Sequence, residues 1–271
     1  MNLVQIIDAL ACAYGPRGWW PLPSKAGQDG RNPAGYLVSG SVPVGPDAPG
    51  PDQNSRRAAR FEIAVGAILA QNTAWSGASK AVAALAEHSL LAPKAILEID
   101  VLELATILRP AGTFARKTLY LKTLAAAWPD LDVGTPTRNE LLALRGIGHE
   151  TADCILCYGY GQPRFVADAY ARRIAVRCGA ATADPDAGLG AGLSYEELRH
   201  RAEAELPADA RYLAEGHALL VEHAKRHCRV RPLCSGCPLA ASCPAAWHSG
   251  GSFSATTDIQ AGYTSIQDTI L

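Results

Sequence analysis

The chain has no apolar run long enough to cross a bilayer, which sets aside a membrane-spanning helix. It has almost no net charge, with 25 Lys and Arg against 26 Asp and Glu. That excludes a global basic field, although a local basic stripe would still serve phosphate contacts. β-Branched runs are short, which argues against an extensive sheet. No internal repeat is visible. The opening MNLVQIIDALACAYG lacks the basic start and long apolar stretch of a secretory signal. A reducing, cytoplasmic setting without disulfides is therefore expected, near the nucleoid if the source is bacterial.

What is present is Ala and Leu in quantity, in 271 residues that suffice for two modest domains. The pattern predicts helices over 2–14, 57–70, 75–87, 93–98, 101–108 and 115–128, the last with Lys122 facing outward. Further helices are expected over 137–144, with Thr137 and Glu140 as a capping box, and over 149–159, 168–178, 195–205 and 211–227. Residues 21–55 are rich in Gly, Pro and polar residues and read as a long loop or partly disordered insertion. The tail from about His248 is rich in Ser, Thr and Gly and reads as frayed.

Four cysteines, Cys228, Cys234, Cys237 and Cys243, fall within sixteen residues in the pattern C-x5-C-x2-C-x5-C. Soft thiolates crowded in this way suit a metal centre better than a core. Structural zinc usually takes two separate C-x2-C knuckles. One knuckle with single cysteines on either side fits a larger 4Fe–4S cluster better, with a zinc staple as the alternative. Lys225, Arg226, His227, Arg229 and Arg231 surround the first cysteine, so the centre carries a basic loop. Cys154 and Cys157 form a second C-x2-C, but in an apolar helical run, where they read as small buried hydrophobes.

The segment LRGIGHETADCIL joins two helices through Gly146 and Gly148, with Ile147 turned into the core. The second helix opens at His149, with Thr151 in its first turn, and its amide groups offer an anion site. This is a helix-hairpin-helix pattern, whose natural ligand is a phosphodiester. Asp168 follows twenty residues after Gly148, in FVADAYARRI, and the cysteine cluster follows that.

The order of hairpin, aspartate and four-cysteine cluster resembles the endonuclease III-like, helix-hairpin-helix base-excision DNA glycosylases, from about Arg57 to Cys243. The resemblance implies an all-α, two-domain fold: a six-helix barrel domain, an iron–sulfur helical domain and a cleft between. The boundaries it suggests are 56–165 for the six-helix domain and 1–20 with 166–247 for the iron–sulfur domain. Residues 21–55 would be an insertion and 248–271 a flexible tail. Gln71, in AQNTAW, matches the family residue that fills the gap left by an extruded base. The resemblance implies damaged duplex DNA as partner, a monomeric enzyme, and a DNA-binding set of Gln71, Gly146, Gly148, His149, Thr151, Arg226, Arg229 and Arg231.

Asp168 then becomes the carboxylate that stabilises positive charge on the sugar; its bland alternative is a helix N-cap. Where bifunctional members carry a Schiff-base lysine, this chain has Glu150, so the resemblance implies a monofunctional glycosylase without lyase activity. Trp19, Trp20 and Pro21 offer an aromatic wall for a flipped base, or the docking of the insertion. Phe61, Trp75 and Tyr170 are further candidates for that wall. A cationic alkylated purine suits such a wall. WWP, AQNTAW and the missing lysine resemble the 3-methyladenine glycosylase branch, which has a lysine shortly before the cluster region that can be carbamylated; Lys225 fits it by position and is a candidate for the base pocket, with a solvated or phosphate-binding lysine as the alternative. A glycosylase for damaged or mismatched pyrimidines and a non-catalytic DNA-structure binder are the alternatives.

Overall fold

A computed structural model describes residues 1–44, 52–181 and 193–248. Twelve α-helices are found among them: α1 (Leu3–Tyr14), α2 (Gln53–Ala70), α3 (Trp75–Glu87), α4 (Pro93–Glu98), α5 (Val101–Ile107), α6 (Phe114–Leu131), α7 (Arg138–Leu142), α8 (His149–Cys154), α9 (Ala169–Arg177), α10 (Tyr195–Glu205), α11 (Ala210–Arg226) and α12 (Pro244–His248). Among the described residues, β-structure amounts to one isolated bridge, Arg31 to Leu37. No helix among them is long and apolar enough to cross a membrane. The expected tail lies, from residue 249 on, outside the described residues, as do 45–51 of the expected insertion.

The chain forms two compact units. One comprises Gly18–Val166 with Asp209–Ala214; the other comprises Met1–Arg17, Ala167–Ala208 and Glu215 onward.

The first unit is built around α2, whose residues Arg60 to Leu69 are all buried. Asp52 caps its start by accepting from the amides of Asn54 and Ser55, so the helix begins earlier than composition suggested. Phe61 meets Trp128 of α6 edge to face, with ring centroids 5.3 Å apart. A fully buried phenylalanine contributes roughly 1.5–3 kcal/mol of apolar burial. Arg60, itself buried, donates to Asp132 from Nε at 2.7 Å, while the Tyr160 hydroxyl donates to the same carboxylate at 2.7 Å. Helix α6 runs past Pro129 to Leu131, beyond the expected stop at Trp128. Lys122 does not simply face solvent: it is half-buried and donates to the carbonyl of Leu97 at 3.0 Å, closing the end of α4.

Residues 18–44 form part of this unit. Leu22 N donates to Gly35 O and Leu37 N to Gly18 O, each at 3.0 Å. Arg31 donates to the carbonyls of Trp20 and Gly35. Buried Glu62 of α2 accepts from the amide and hydroxyl of Ser24, and burial pushes its carboxyl above the usual range. A polar stretch is thus ordered by chain-to-chain hydrogen bonds, which its composition could not reveal.

The second unit packs α1 through Leu3, Ile6, Ile7 and Leu10. Gly216 of α11 makes room for Ile7, whose Cδ1 lies 2.9 Å from where a Cβ would stand. Leu3 N donates to Glu205 of α10 at 2.6 Å.

Candidate functional site

In the first unit, Thr137 caps α7 through the expected capping box with Glu140. The turn that follows carries Ile147, which is buried as expected. Gly146 has a φ of +96°, and a Cβ there would lie 2.2 Å from Cγ of Tyr120. Glycine is required at that point. Gly148 differs: its φ is −96° and a Cβ would meet nothing within 4 Å. Its bare backbone faces open space at the N-cap of α8, and the helical run continues as a π-helix from Ile155 to Gly159.

Gln71 closes α2 and reaches this turn. Its amide Nε2 donates to Gly146 O and to Thr151 Oγ1, each at 2.8 Å. Gln71, Asn72, Tyr120 and the run Gly146 to Thr151 line a concavity of about 450 Å³. Glu150 and His149 are part of that lining. Beneath it, Arg138 holds fully buried Asp153 in a two-point pair at 2.8 and 3.0 Å, and also contacts His149 Nδ1 at 3.2 Å. Sequence reasoning missed this brace. Its signal was an aspartate inside the apolar run TADCILCY, where an unpaired charge would be costly. Cys154 and Cys157 of the same run are buried.

Trp20 and Pro21 are buried in the first unit. Trp20 meets Trp75 edge-on at 5.3 Å and Tyr158 at 5.2 Å. Gly66 of α2 leaves the room its indole needs, with Nε1 2.9 Å from the place of a Cβ. Trp19 is only half-buried and packs edge-on against Trp20 at 5.8 Å. Phe61 is wholly enclosed by the core.

In the second unit, Asp168 is the N-cap of α9 and is buried. One oxygen, Oδ1, accepts from Ala171 N at 2.7 Å. The other, Oδ2, lies 3.6 Å from Nε2 of His217, a buried residue of α11. His217 was not singled out from sequence; the signal available was a polar ring inside the apolar run HALLV. Tyr170, next along α9, is exposed and stacks against the guanidinium of Arg173 at 5.2 Å.

The cysteine motif belongs to the same unit. Cys228 is buried, and Cys234, Cys237 and Cys243 are half-buried. The Cys237 thiol is pushed up to about 11, first by burial and then by repulsion from Cys243, Cys234 and Cys228. The four sulfurs therefore lie within electrostatic reach of one another. Four soft sulfur donors are of the chemical kind that a metal group takes. Among the described residues, no three His, Cys, Asp or Glu side chains are placed to hold a single metal ion. His223 Nε2 lies 3.8 Å from Cys237 Sγ, and the Tyr14 hydroxyl is 2.9 Å from His223 Nδ1. Helix α9 is tied to the cysteine loop: Arg173 donates to Cys228 O at 2.8 Å and Arg177 to Val230 O at 2.8 Å.

Of the basic residues, Lys225, Arg226, Arg229 and Arg231 are exposed. Arg226 pairs with Glu222 and lies over the Tyr14 ring at 4.9 Å. Arg229 donates to Lys225 O at 2.8 Å.

Residues 65–189 match the family described as HhH-GPD superfamily base excision DNA repair protein. A Methanocaldococcus jannaschii protein provisionally assigned as a DNA repair glycosylase is 36% identical over 187 residues, which is 65% of this chain and 81% of that protein. A non-covalent endonuclease III–DNA complex gives a TM-score of 0.67 at 18% identity, covering 92% of this chain and 98% of that one. The 3-methyladenine DNA glycosylase of H. pylori, solved bound to 1,N6-ethenoadenine, gives 0.60 at 22% identity, covering 83% and 98%. At these identities the structural likeness establishes the all-α fold.

Proposed function

Because the chain belongs to the HhH-GPD superfamily of base excision DNA repair proteins, we propose that it is a monofunctional DNA glycosylase. It binds duplex DNA holding a damaged base, turns that base out and hydrolyses its N-glycosidic bond. The observation that carries this reading is Asp168: a buried carboxylate with one oxygen held by its own helix and the other directed at His217.

The chemistry follows from that carboxylate. As the C–N bond breaks, the base leaves with the electron pair and the sugar gains positive charge. The Asp168 carboxylate stabilises that charge. Water adds to the anomeric carbon, and its proton passes to the carboxylate and then to solvent. The product is an abasic site with an intact strand. Glu150 lines the hairpin concavity at the position where bifunctional relatives carry an amine, and a carboxylate cannot form a Schiff base.

The substrate we favour is an alkylated purine such as 3-methyladenine, whose ring charge makes it both a good leaving group and a good partner for an indole face. Trp19, held by buried Trp20 and Pro21, is the wall we assign to it; Tyr170 and Lys225 are the candidates from the second unit. Phosphates are met by the hairpin at Gly146, Gly148, His149 and Thr151, by Gln71 beside it, and by Arg226, Arg229 and Arg231. Cys228, Cys234, Cys237 and Cys243 hold a 4Fe–4S cluster, which fixes the basic loop and takes no part in the bond-breaking step.

The test is excision on a panel of duplexes that each carry one lesion, scored before and after hot alkali. Release of alkylated purine with breaks only after alkali supports the reading. Release of damaged pyrimidines alone transfers the site to the other substrate class, and binding without any release leaves only a DNA-structure binder. Iron analysis of anaerobically purified protein tests the cluster, and stoichiometric zinc in place of iron refutes it.

A further inference from the structure

Arg138 makes a second hydrogen bond whose direction is fixed by chemistry. It opens α7 directly after the Thr137 cap, and its guanidinium reaches across to α8. Nε and Nη2 donate to the two oxygens of Asp153 at 2.8 and 3.0 Å, and Nη2 also donates to Nδ1 of His149 at 3.2 Å. His149 and Asp153 stand four residues apart on α8, on the same side of the helix, so one guanidinium serves both. A guanidinium has only donors. His149 Nδ1 must therefore accept, and an imidazole that accepts at Nδ1 carries its proton on Nε2.

His149 is exposed and lines the hairpin concavity. None of the described residues that line it is Lys or Arg. Gln71 spends both amide N–H groups on Gly146 O and Thr151 Oγ1. The Arg138 charge is offset by Asp153, which is fully buried. What the turn offers an anion is therefore a set of directed, uncharged donors, and the Nε2–H of His149 is one of them.

We propose that Arg138 is a positioning residue for DNA: it holds His149 in the Nε2–H tautomer, and the ring donates from Nε2 to a phosphate oxygen of the duplex. The contact adds direction and no charge, so it fixes register on the backbone without releasing a counterion. Arg138 acts only through the ring. The inference rests on the DNA-binding reading above.

Binding is measured by fluorescence anisotropy on a duplex with one tetrahydrofuran abasic analogue, over a series of KCl concentrations. Asparagine at position 149 can satisfy Arg138 near the place of Nδ1 but reaches no farther, whereas glutamine restores an N–H near the place of Nε2. His149→Asn should weaken binding about three- to tenfold at every salt concentration, with the slope of log K against log salt unchanged. His149→Gln should regain most of that loss. A slope that falls by about one in His149→Asn would show a cationic contact and overturn the proposal. Equal binding by the Asn and Gln variants overturns it too. Arg138→Lys keeps a positive charge for Asp153 and gives up the forked geometry. It should weaken wild-type binding about twofold or more and add nothing in His149→Asn; additive losses overturn the positioning role. Ring-nitrogen NMR of the free, full-length protein reads the tautomer without any duplex, the His149 signals being those absent from His149→Gln. They should show one form, protonated at Nε2, in wild type and a mixture in Arg138→Lys. A proton on Nδ1 in wild type overturns the proposal. Neither the His149 series nor the wild-type spectrum depends on Arg138→Lys folding. Wild type that binds no duplex overturns the DNA-binding reading, an outcome distinct from all of these.

Discussion

His217 Nε2 faces Asp168 Oδ2 at 3.6 Å, across a buried contact between α11 and the N-cap of α9. The carboxylate is therefore oriented from two sides, by a helix amide on one oxygen and an imidazole near the other. A group held in this way needs little reorganisation when charge develops beside it, which is what makes a fixed carboxylate effective.

Asp168→Asn separates its two roles. Asparagine caps helices as well as aspartate does, so thermal stability should change by less than about 1 kcal/mol. Excision should fall by roughly 10³-fold, because the charge is gone. Full activity in this variant would leave Asp168 as a cap and nothing more. His217→Ala should cost about tenfold in kcat with DNA affinity unchanged.

Glu150 sets the expectation for covalent trapping. Borohydride should capture no complex with wild type. Glu150→Lys should gain trapping and strand cleavage on the same damaged duplex. A trapped wild-type complex would show that another amine attacks the sugar.

The two hairpin glycines should behave differently. Gly146→Ala sets a methyl against the Tyr120 ring at a positive φ and should cost about 1–3 kcal/mol in urea unfolding. Gly148→Ala should leave stability within about 0.5 kcal/mol yet, on the proposed phosphate contact, weaken binding to every duplex alike, since its methyl would enter the open space in front of the N-cap. Equal effects on stability would refute the distinction.

Asp132 collects Arg57, Arg60 and the Tyr160 hydroxyl. Asp132→Ala would strand the buried Arg60 guanidinium, at about 3–5 kcal/mol. Denaturant unfolding should show that loss, and a neutral result would mean that water reaches Arg60.

Lys117 is buried in the first unit, donating to the carbonyls of Leu69 and Ala111, and burial lowers its ammonium from the usual 10.5 to about 8. Between those values the unfolded chain binds the proton and the folded chain releases it. Stability should therefore rise as pH climbs from 8 toward 10.5, and Lys117→Met should remove that rise. Urea midpoints across the range provide the check.

The sequence disclosed what local rules control. Thr137 and Glu140 marked a helix start because a capping box is a contact between near neighbours. The Gly146–Ile147–Gly148 turn was legible because glycine and a lone apolar residue announce its shape. His217 was not, because its partner Asp168 lies on another helix far along the chain, and a single histidine in an apolar run carries no pairing information. Trp20 was ambiguous for a related reason: only the space at Gly66 shows that its indole is packed into the core. Residues 21–44 of the expected loop are ordered by Glu62, Arg31 and backbone pairing rather than by any periodicity, which is why composition read them as loop.

The division of the chain between its units also imposes a schedule. One unit is nearly continuous, from Gly18 to Val166, whereas the other needs Met1–Arg17 together with segments that begin at Ala167. On a ribosome adding about 5–20 residues per second, the apolar face of α1 is made about 150 residues ahead of the segments from Ala167 onward and waits roughly 8–30 s for them. The continuous unit can fold largely in that interval. Leu3, Ile6, Ile7 and Leu10 meanwhile remain uncovered. Helix α1 thus leaves the tunnel long before the segments that cover it, and during synthesis its apolar face is the place where a chaperone would be needed.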